Sequence, residues 1–216
     1  LEVLDISAKN ISDLRGIEDF AVIEILDCHS NQLISLDISA NTALRNLNCS
    51  ENEIEYLDAS NNTALTHLGC WLNKIIRLNV SANTALRELW CFNNQITYLD
   101  VTACSNLTIL LCHHNPLTAL DIRNRNNAEI NQFSSSNNPQ LKCIYVDDKD
   151  ATFLSGWSID EWTTFVESAA ECEASDIESL KKENCAIIYP NPSVGMIYID
   201  LASEYSIEHV IISDIT

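Results

Sequence analysis

Residues 65–75 read LTHLGCWLNKI and residues 86–96 read LRELWCFNNQI. Both fit the pattern LxxLxCxxNxI, and its cysteine recurs at Cys28, Cys49, Cys70, Cys91 and Cys112, always 21 residues apart. A period of roughly 20 to 50 residues marks a solenoid, in which one unit cannot bury its apolar face alone and its neighbours complete the core. The first apolar position of the unit falls at Leu1, Ile23, Leu44, Leu65, Leu86, Leu107 and Ile130, so seven units are visible. Within a unit Leu68 and Cys70 alternate, as one face of a strand requires. The second half of the unit reads LDIS, LDAS, LNVS, LDVT and LDI from Leu36, Leu57, Leu78, Leu99 and Leu120, a second two-residue alternation on the opposite side of the coil. No segment there has helical length.

The pattern resembles the leucine-rich repeat family, and the unit resembles that family's 21-residue bacterial class. The resemblance implies a β-rich solenoid over residues 1–141: a right-handed coil with a parallel sheet, short extended or turn segments opposite, and few helices. Its stacked leucines and isoleucines each contribute about 1.5–3 kcal/mol when fully buried, which offsets the ordering cost of so many turns. Asn31, Asn52, Asn73, Asn94, Asn115 and Asn138 stand where the chain leaves each strand, and an amide there can satisfy backbone groups that the turn leaves unpaired. Asp37, Asp58, Asn79, Asp100 and Asp121 form a further column. Stacked carboxylates offer hard oxygen ligands for calcium. Asn79 interrupts the column and no glycine-rich calcium loop accompanies it, so turn capping or a solvated acidic stripe is the reading preferred here.

Nine cysteines would ordinarily point to a disulfide framework or a metal site. The five ladder cysteines replace the apolar residue of the repeat and behave as small hydrophobes. Parallel neighbours lie about 4.8 Å apart with side chains pointing the same way, so these five are expected to be thiols. No CxxC zinc pattern is present. Cys104 is expected to be unpaired as well. Cys143, Cys172 and Cys185 fall outside the repeats, where a loop-rich cap gains most from a crosslink, and Cys143 with Cys172 is the preferred pair.

Residues 142–172 read as a C-terminal cap over the open end of the core. Ser158 with Glu161, and Ser175 with Glu178, have the form of S-x-x-E capping boxes, which predict short helices, the first burying Trp162, Phe165 and Val166. Residues 173–186 are polar and charged, as a linker should be. Residues 187–216 contain Tyr189-Pro190-Asn191-Pro192-Ser193, then Gly195, alternating strands and a terminal VIISDIT. This stretch resembles the start of the C-terminal sorting domain of type IX secretion substrates in Bacteroidetes bacteria. Pro-Asn-Pro forms a turn, and Met196–Ile199 and Val210–Ile212 read as strands of a small sandwich that is partial here. Family members continue with further strands, and Leu1 begins at a repeat position with no initiator methionine or signal peptide, so the expectation is a fragment of an exported mature chain. The resemblance implies recognition by the outer-membrane secretion machinery, removal of the segment and attachment at the cell surface.

The chain carries 31 acidic and 12 basic residues, and residues 142–216 alone carry 15 and 4. That balance disfavours nucleic acid. No run approaches the roughly 18 apolar residues that would span a bilayer. The expected location is extracellular or on the outer-membrane surface.

Functional residues are expected on the outward side of the strands: His67, Gly69 and Trp71, then Glu88, Trp90 and Phe92, then Ile109, Leu111 and His113. Trp71, Phe92 and His113 hold one position on neighbouring strands, with Trp90 and Leu111 beside them and Leu72 and His114 at the rim. A large aromatic buries about 150–250 Å² when covered, and interfaces concentrate such anchors. A protein or peptide partner would use the rings as anchors, with Glu88, His67 and His113 giving polar direction. A glycan would instead stack on Trp71 and Trp90. A third reading is that the rings only shield one another along a twisted sheet. Catalysis is not expected: no serine or cysteine nucleophile pairs with His67, His113 or His114, and a zinc site from the two adjacent histidines finds only Glu88 nearby as a further ligand. No cofactor is implied.

Overall fold

Three-residue strands build the coil, and from the strand at Ile25–Asp27 to the one at Cys143–Tyr145 each has a buried central leucine or its equivalent. The computed structural model describes residues 2–173 and, beyond them, the backbone of two strands at 187–189 and 198–200. In chain order the strands are β1 (Val3–Asp5), β2 (Ile25–Asp27), β3 (Asn46–Asn48), β4 (Tyr56–Asp58), β5 (His67–Gly69), β6 (Arg77–Asn79) and β7 (Glu88–Trp90). There follow β8 (Tyr98–Asp100), β9 (Ile109–Leu111), β10 (Ala119–Asp121), β11 (Gln132–Ser134), β12 (Cys143–Tyr145) and β13 (Thr164–Val166). The first sheet is parallel throughout, in the order β1-β2-β3-β5-β7-β9-β11. Across it Leu26, Leu47, Leu68, Leu89 and Leu110 are in register and almost wholly buried. Opposite lie a parallel pair, β4-β6, and a parallel quartet, β8-β10-β12-β13; these two, adjacent at β6 and β8 but not paired there, are together called the second sheet. The fold is therefore a parallel β-solenoid with almost no helix, as the repeat predicts.

The asparagines do the same work in every coil. Asn73 Nδ2 donates to the carbonyls of Cys49 (3.0 Å), Cys70 (3.1 Å) and Trp71 (3.3 Å), while its Oδ1 accepts the Ile54 N–H at 2.9 Å. Asn52, Asn94 and Asn115 repeat this pattern, Asn31 and Asn138 vary it, and each ties one coil to the preceding one. To turn these amides inward, the chain takes a left-handed residue just before them: Ser30, Glu51, Leu72, Asn93 and His114 have φ of 53, 55, 52, 54 and 55°.

A second amide ladder runs through the NTAL segments. Asn41, Asn62 and Asn83 are fully buried, and Asn62 Nδ2 donates to the Ile38 and Asn41 carbonyls at 3.0 and 2.8 Å. Cys104 takes the next position of this ladder, its Sγ facing the Val80 and Asn83 carbonyls. Asp37, Asp58, Asn79 and Asp100 each accept the N–H two residues ahead, at 2.9–3.0 Å, so this column caps turns. The hydrogen bonds from Ser39 and Ser60 hold the carboxyls of Asp37 and Asp58 below their ordinary range.

Cys28, Cys49, Cys70, Cys91, Cys104 and Cys112 are buried thiols. Burial pushes Cys28, Cys104 and Cys112 up to about 12, and it carries Cys49, Cys70 and Cys91 well above their ordinary value, with neighbouring ladder sulfurs adding to the effect. Cys143 and Cys172 are both disulfide-bonded. Cys185 lies outside the described residues.

The segment after residue 157 differs from the helix expected at Ser158. Ser158 instead bridges to Ser134 in parallel, extending the first sheet, and β13 pairs with β12. Asp160 accepts the N–H groups of Asn137 and Asn138, both at 2.8 Å, in place of capping a helix. Coil stacking thus outcompetes the local capping signal. Val166 is buried and Phe165 partly so, as expected, but Trp162 is 50% exposed. The apolar end is filled by Trp157, whose ring lies 4.2 Å from Phe133 and 5.7 Å from Phe153 between centroids. Helical residues occur at 152–156, as a 3-10 turn, and at 169–173. The Ser175 box lies outside the described residues.

The chain divides into two units, Leu1–Glu167 and Ser168–Thr216. In the second, β14 (Ile187–Tyr189) pairs antiparallel with β15 (Tyr198–Asp200), with Tyr189 opposite Tyr198. Pro190, Asn191, Pro192 and Gly195, and the strand expected at 210–212, lie outside the described residues.

Candidate functional site

Outward positions on the first sheet are free of the constraints that repeat the inside, and they change from coil to coil. One column reads Asp27, Asn48, Gly69, Trp90, Leu111 and Ser134 in register. The residues two further along read His29, Ser50, Trp71, Phe92, His113 and Ser136. At the near end these pair as polar couples: His29 Nδ1 lies 2.6 Å from Asp27 Oδ1, and Ser50 Oγ donates to Asn48 Oδ1 at 2.7 Å. At the far end Ser134 and Ser136 hydroxyls are 3.3 Å apart. Between them lies an aromatic patch three coils wide.

The patch is an ordered stack. Trp71 and Phe92 are 5.7 Å apart between centroids at an interplanar angle of 10°, and Phe92 and His113 are 4.5 Å apart at 8°. Trp90 tilts against Trp71 at 5.6 Å, and His114 meets His113 edge-on at 5.4 Å. Gly69 makes this possible. A Cβ at that position would stand 2.6 Å from Trp71 Cζ3, so only glycine lets the indole fold back over β5.

Trp71, Trp90, Phe92, Leu111 and His113 are half-buried by one another, while Leu72 at 47% and His114 at the rim are exposed. Trp90 Nε1 and His113 Nδ1 are buried without a hydrogen-bond partner. Burial, and secondarily the charge of His114, holds His113 below the ordinary histidine value, favouring its neutral form.

Polar direction comes from one edge. His67 Nε2 lies 3.4 Å from Glu88 Oε1, and His67 Nδ1 is 2.8 Å from the Thr66 hydroxyl. Beside this pair a recess of about 240 Å³ opens toward the polar coils, lined by Asn46, Asn48, His67, Trp71, Glu88 and Trp90. The binding candidates His67, Trp71, Glu88, Trp90, Phe92, Leu111, His113 and His114 therefore share one face. Among the described residues no group of three metal-ligating side chains converges, and no helix is long and apolar enough to cross a membrane.

The second sheet carries outward side chains that the repeat pattern does not draw attention to. Tyr56 and Tyr98 are 65% and 54% exposed. Their signal was the position before each LD pair, where alternation places a side chain on the solvent side.

No protein-family model matches the chain, and no curated protein matches it. Solved structures do. The functional domain of InlJ from Listeria monocytogenes, which includes a cysteine ladder, is 25% identical, with a TM-score of 0.52 over 81% of this chain and 47% of its own. The leucine-rich repeat domain of APL1B is 20% identical, with a TM-score of 0.52 over 67% of this chain and 43% of its own. An internalin, InlF, from Listeria monocytogenes is 20% identical, with a TM-score of 0.50 over 81% of this chain and 58% of its own. The chain thus spans about half the length of these three structures. Repeat, register, core and neighbours agree that its fold is that of the leucine-rich repeat solenoids.

Proposed function

We propose that this chain is an exported or surface-attached leucine-rich repeat protein that binds a protein partner through the outer face of its first sheet. The observation that carries the reading is the aromatic patch formed by Trp71, Trp90, Phe92, Leu111 and His113, bounded on both sides by polar couples. Anchors near the middle of a patch with a polar rim are how protein interfaces concentrate their binding energy. Here the rings are held by their own stacking, so a partner orders few side chains on docking and the association loses little entropy. His67 and Glu88 orient the partner at one edge, and His114 at the other.

Export belongs to the same reading. It is supported by the Tyr189-Pro190-Asn191-Pro192 motif with Gly195 and by the antiparallel pairing of β14 with β15. The corresponding division has repeats at 1–141, a cap at 142–172, a linker at 173–186 and a sorting segment at 187–216. Adhesion to proteins of a host or a neighbouring cell is the role such a scaffold would serve.

A glycan ligand is the second reading, favoured by the recess over Gly69 with Asn46, Asn48, His67 and Glu88 on its walls. Against it, Trp71 already stacks on Phe92 and leaves less ring face for a pyranose. The test is binding of the chain to immobilised panels of extracellular proteins and of glycans, beside a Trp71→Ala, Trp90→Ala variant with an equal melting temperature. Protein hits lost in the variant support the proposal. Hits retained by the variant overturn it, and hits confined to glycans, with tryptophan fluorescence quenched by free sugar, replace it with the second reading.

A further inference from the structure

Beyond the first sheet, we propose that the outer face of the second sheet is a separate docking surface for an extended basic segment of a protein, one that presents arginine or lysine at every third residue. The face sets exposed apolar area beside carboxylates that alternate with the chain's own cations. Tyr56 and Tyr98 project from β4 and β8, Ile76, 48% exposed, stands just before β6, and Ile34, 67% exposed, takes the place matching Ile76 in the coil before that of Tyr56. Asp58 and Asp100 lie two residues beyond the tyrosines on the same side of their strands, and the Tyr98 hydroxyl approaches Asp100 Oδ2 at 3.5 Å. A tyrosine beside a carboxylate offers a guanidinium both a ring face and a charged acceptor.

The chain shows this form of recognition once, with its own arginine. Arg123 Nε donates to Asp121 Oδ1 at 2.9 Å, its Nη2 donates to Oδ2, and its guanidinium carbon lies 5.0 Å from the centre of the Tyr145 ring. Asp121 and Tyr145 are in register on β10 and β12. Arg123 stands two residues after Asp121. At the matching place after Asp37, Asp58 and Asp100 the chain has Ser39, Ser60 and Thr102. The backbone N–H groups of Ser39, Ser60 and Thr102, and the Thr102 hydroxyl, use Oδ1 of these carboxylates. Among the described residues no guanidinium pairs with Asp37, Asp58 or Asp100 as Arg123 pairs with Asp121, although Arg123 also lies close enough to Asp100 to feel its charge.

Geometry sets the partner's spacing. Each coil of the stack adds about 4.8 Å, so Asp58 and Asp100, two coils apart, stand roughly 10 Å from each other. An extended segment laid across the strands advances about 3.3 Å per residue and covers that distance in three residues. Arg77 sits between the two acidic coils, in register with Tyr56, and lines a cleft of about 430 Å³ with Tyr98, Asn79 and Asp100. It disfavours a cation at the middle coil and so selects spaced over contiguous basic residues. The net charge of −19 draws such a segment in.

The probe is a fluorescein-labelled nonapeptide of Arg-Gly-Ser repeats, which has arginine at positions 1, 4 and 7, beside an isomer with its three arginines contiguous. Anisotropy is read with the full chain at 0.15 M salt. The expected result is at least fivefold tighter binding of the spaced peptide, an at least tenfold loss in Asp58→Asn, Asp100→Asn, a loss in Tyr98→Ala, and no change in Trp71→Ala. Unchanged melting temperatures show that the variants fold. No binding, equal binding of the two peptides, or full binding by the Asp58→Asn, Asp100→Asn variant would overturn the proposal. Because Trp71 is not on this face, that outcome leaves the reading of the first sheet standing.

Discussion

On the first sheet, the rings of Trp71, Phe92 and His113 are stacked 5.7 and 4.5 Å apart, whereas on the second sheet Tyr56 and Tyr98 stand more than half exposed and stack on no other ring among the described residues. Both faces hang on the same inner ladders of leucine, cysteine and asparagine. The core therefore does not determine how each face meets a partner. Part of the apolar area of the first face is already buried against itself, which fixes the rings and narrows what can dock. The second face leaves its rings free and places carboxylates beside them, so its selectivity rests on charge and spacing.

The largest change should come from the ladder that both faces depend on. Asn73→Ala removes four hydrogen bonds and strands backbone groups between coils, a loss of about 3 kcal/mol. It should appear as a lower urea midpoint with an unchanged slope. An unaltered midpoint would mean that the inner amides do not couple the coils.

Gly69→Ala comes next, because it sets a methyl group against Trp71 on the first face and touches nothing on the second. Overpacking of this kind costs about 1–3 kcal/mol. Tryptophan emission should shift to the red as the indole leaves the stack, and adding Trp71→Ala should recover most of the lost stability. If Gly69→Ala melts as the parent does, the folded-back indole is wrong.

A smaller effect separates the faces by pH. Because His113 sits below the ordinary histidine value in the folded chain, the unfolded chain binds the proton more readily between the two values. The stability contributed by its neutral form is complete above about 6.5, the ordinary value, and is lost as pH falls through the folded value. Urea titrations at pH 7.5 and 5.5 should show a drop that His113→Phe reduces. An equal drop in both proteins would assign it to other groups.

The smallest effect belongs to the second face, where Tyr98→Ala should alter stability by no more than about 0.5 kcal/mol. A larger loss would show that Tyr98 packs into the fold and is not free to receive a partner.

The sequence reveals the inside far better than the outside. The ladder residues Leu68, Cys70 and Asn73 meet the same neighbours in every coil, and a constant environment leaves a periodic trace. The second amide ladder was equally periodic at Asn41, Asn62 and Asn83, but Cys104 breaks it, and a buried amide looks like an ordinary turn residue until its partners are seen. Ser158-x-x-Glu161 was misread because a capping box is a local signal, while the stacking of residue 158 on residue 134 is a long-range one. Membership of the aromatic patch was legible from strand alternation. Its half-buried state was not, because that depends on Trp71 folding back over Gly69, two residues earlier, and stacking on Phe92 of the next coil. The tyrosines of the second face sat in the LD segments, whose buried alternation drew the reading inward.

The most direct measurement is binding of a protein identified on the extracellular panel to two variants side by side, Trp71→Ala with Phe92→Ala, and Asp58→Asn with Asp100→Asn. The account predicts at least a tenfold loss of affinity in the first and parental affinity in the second. Parental affinity in the first variant, with both variants melting as the parent does, would contradict the claim that the aromatic face of the first sheet is where this protein binds.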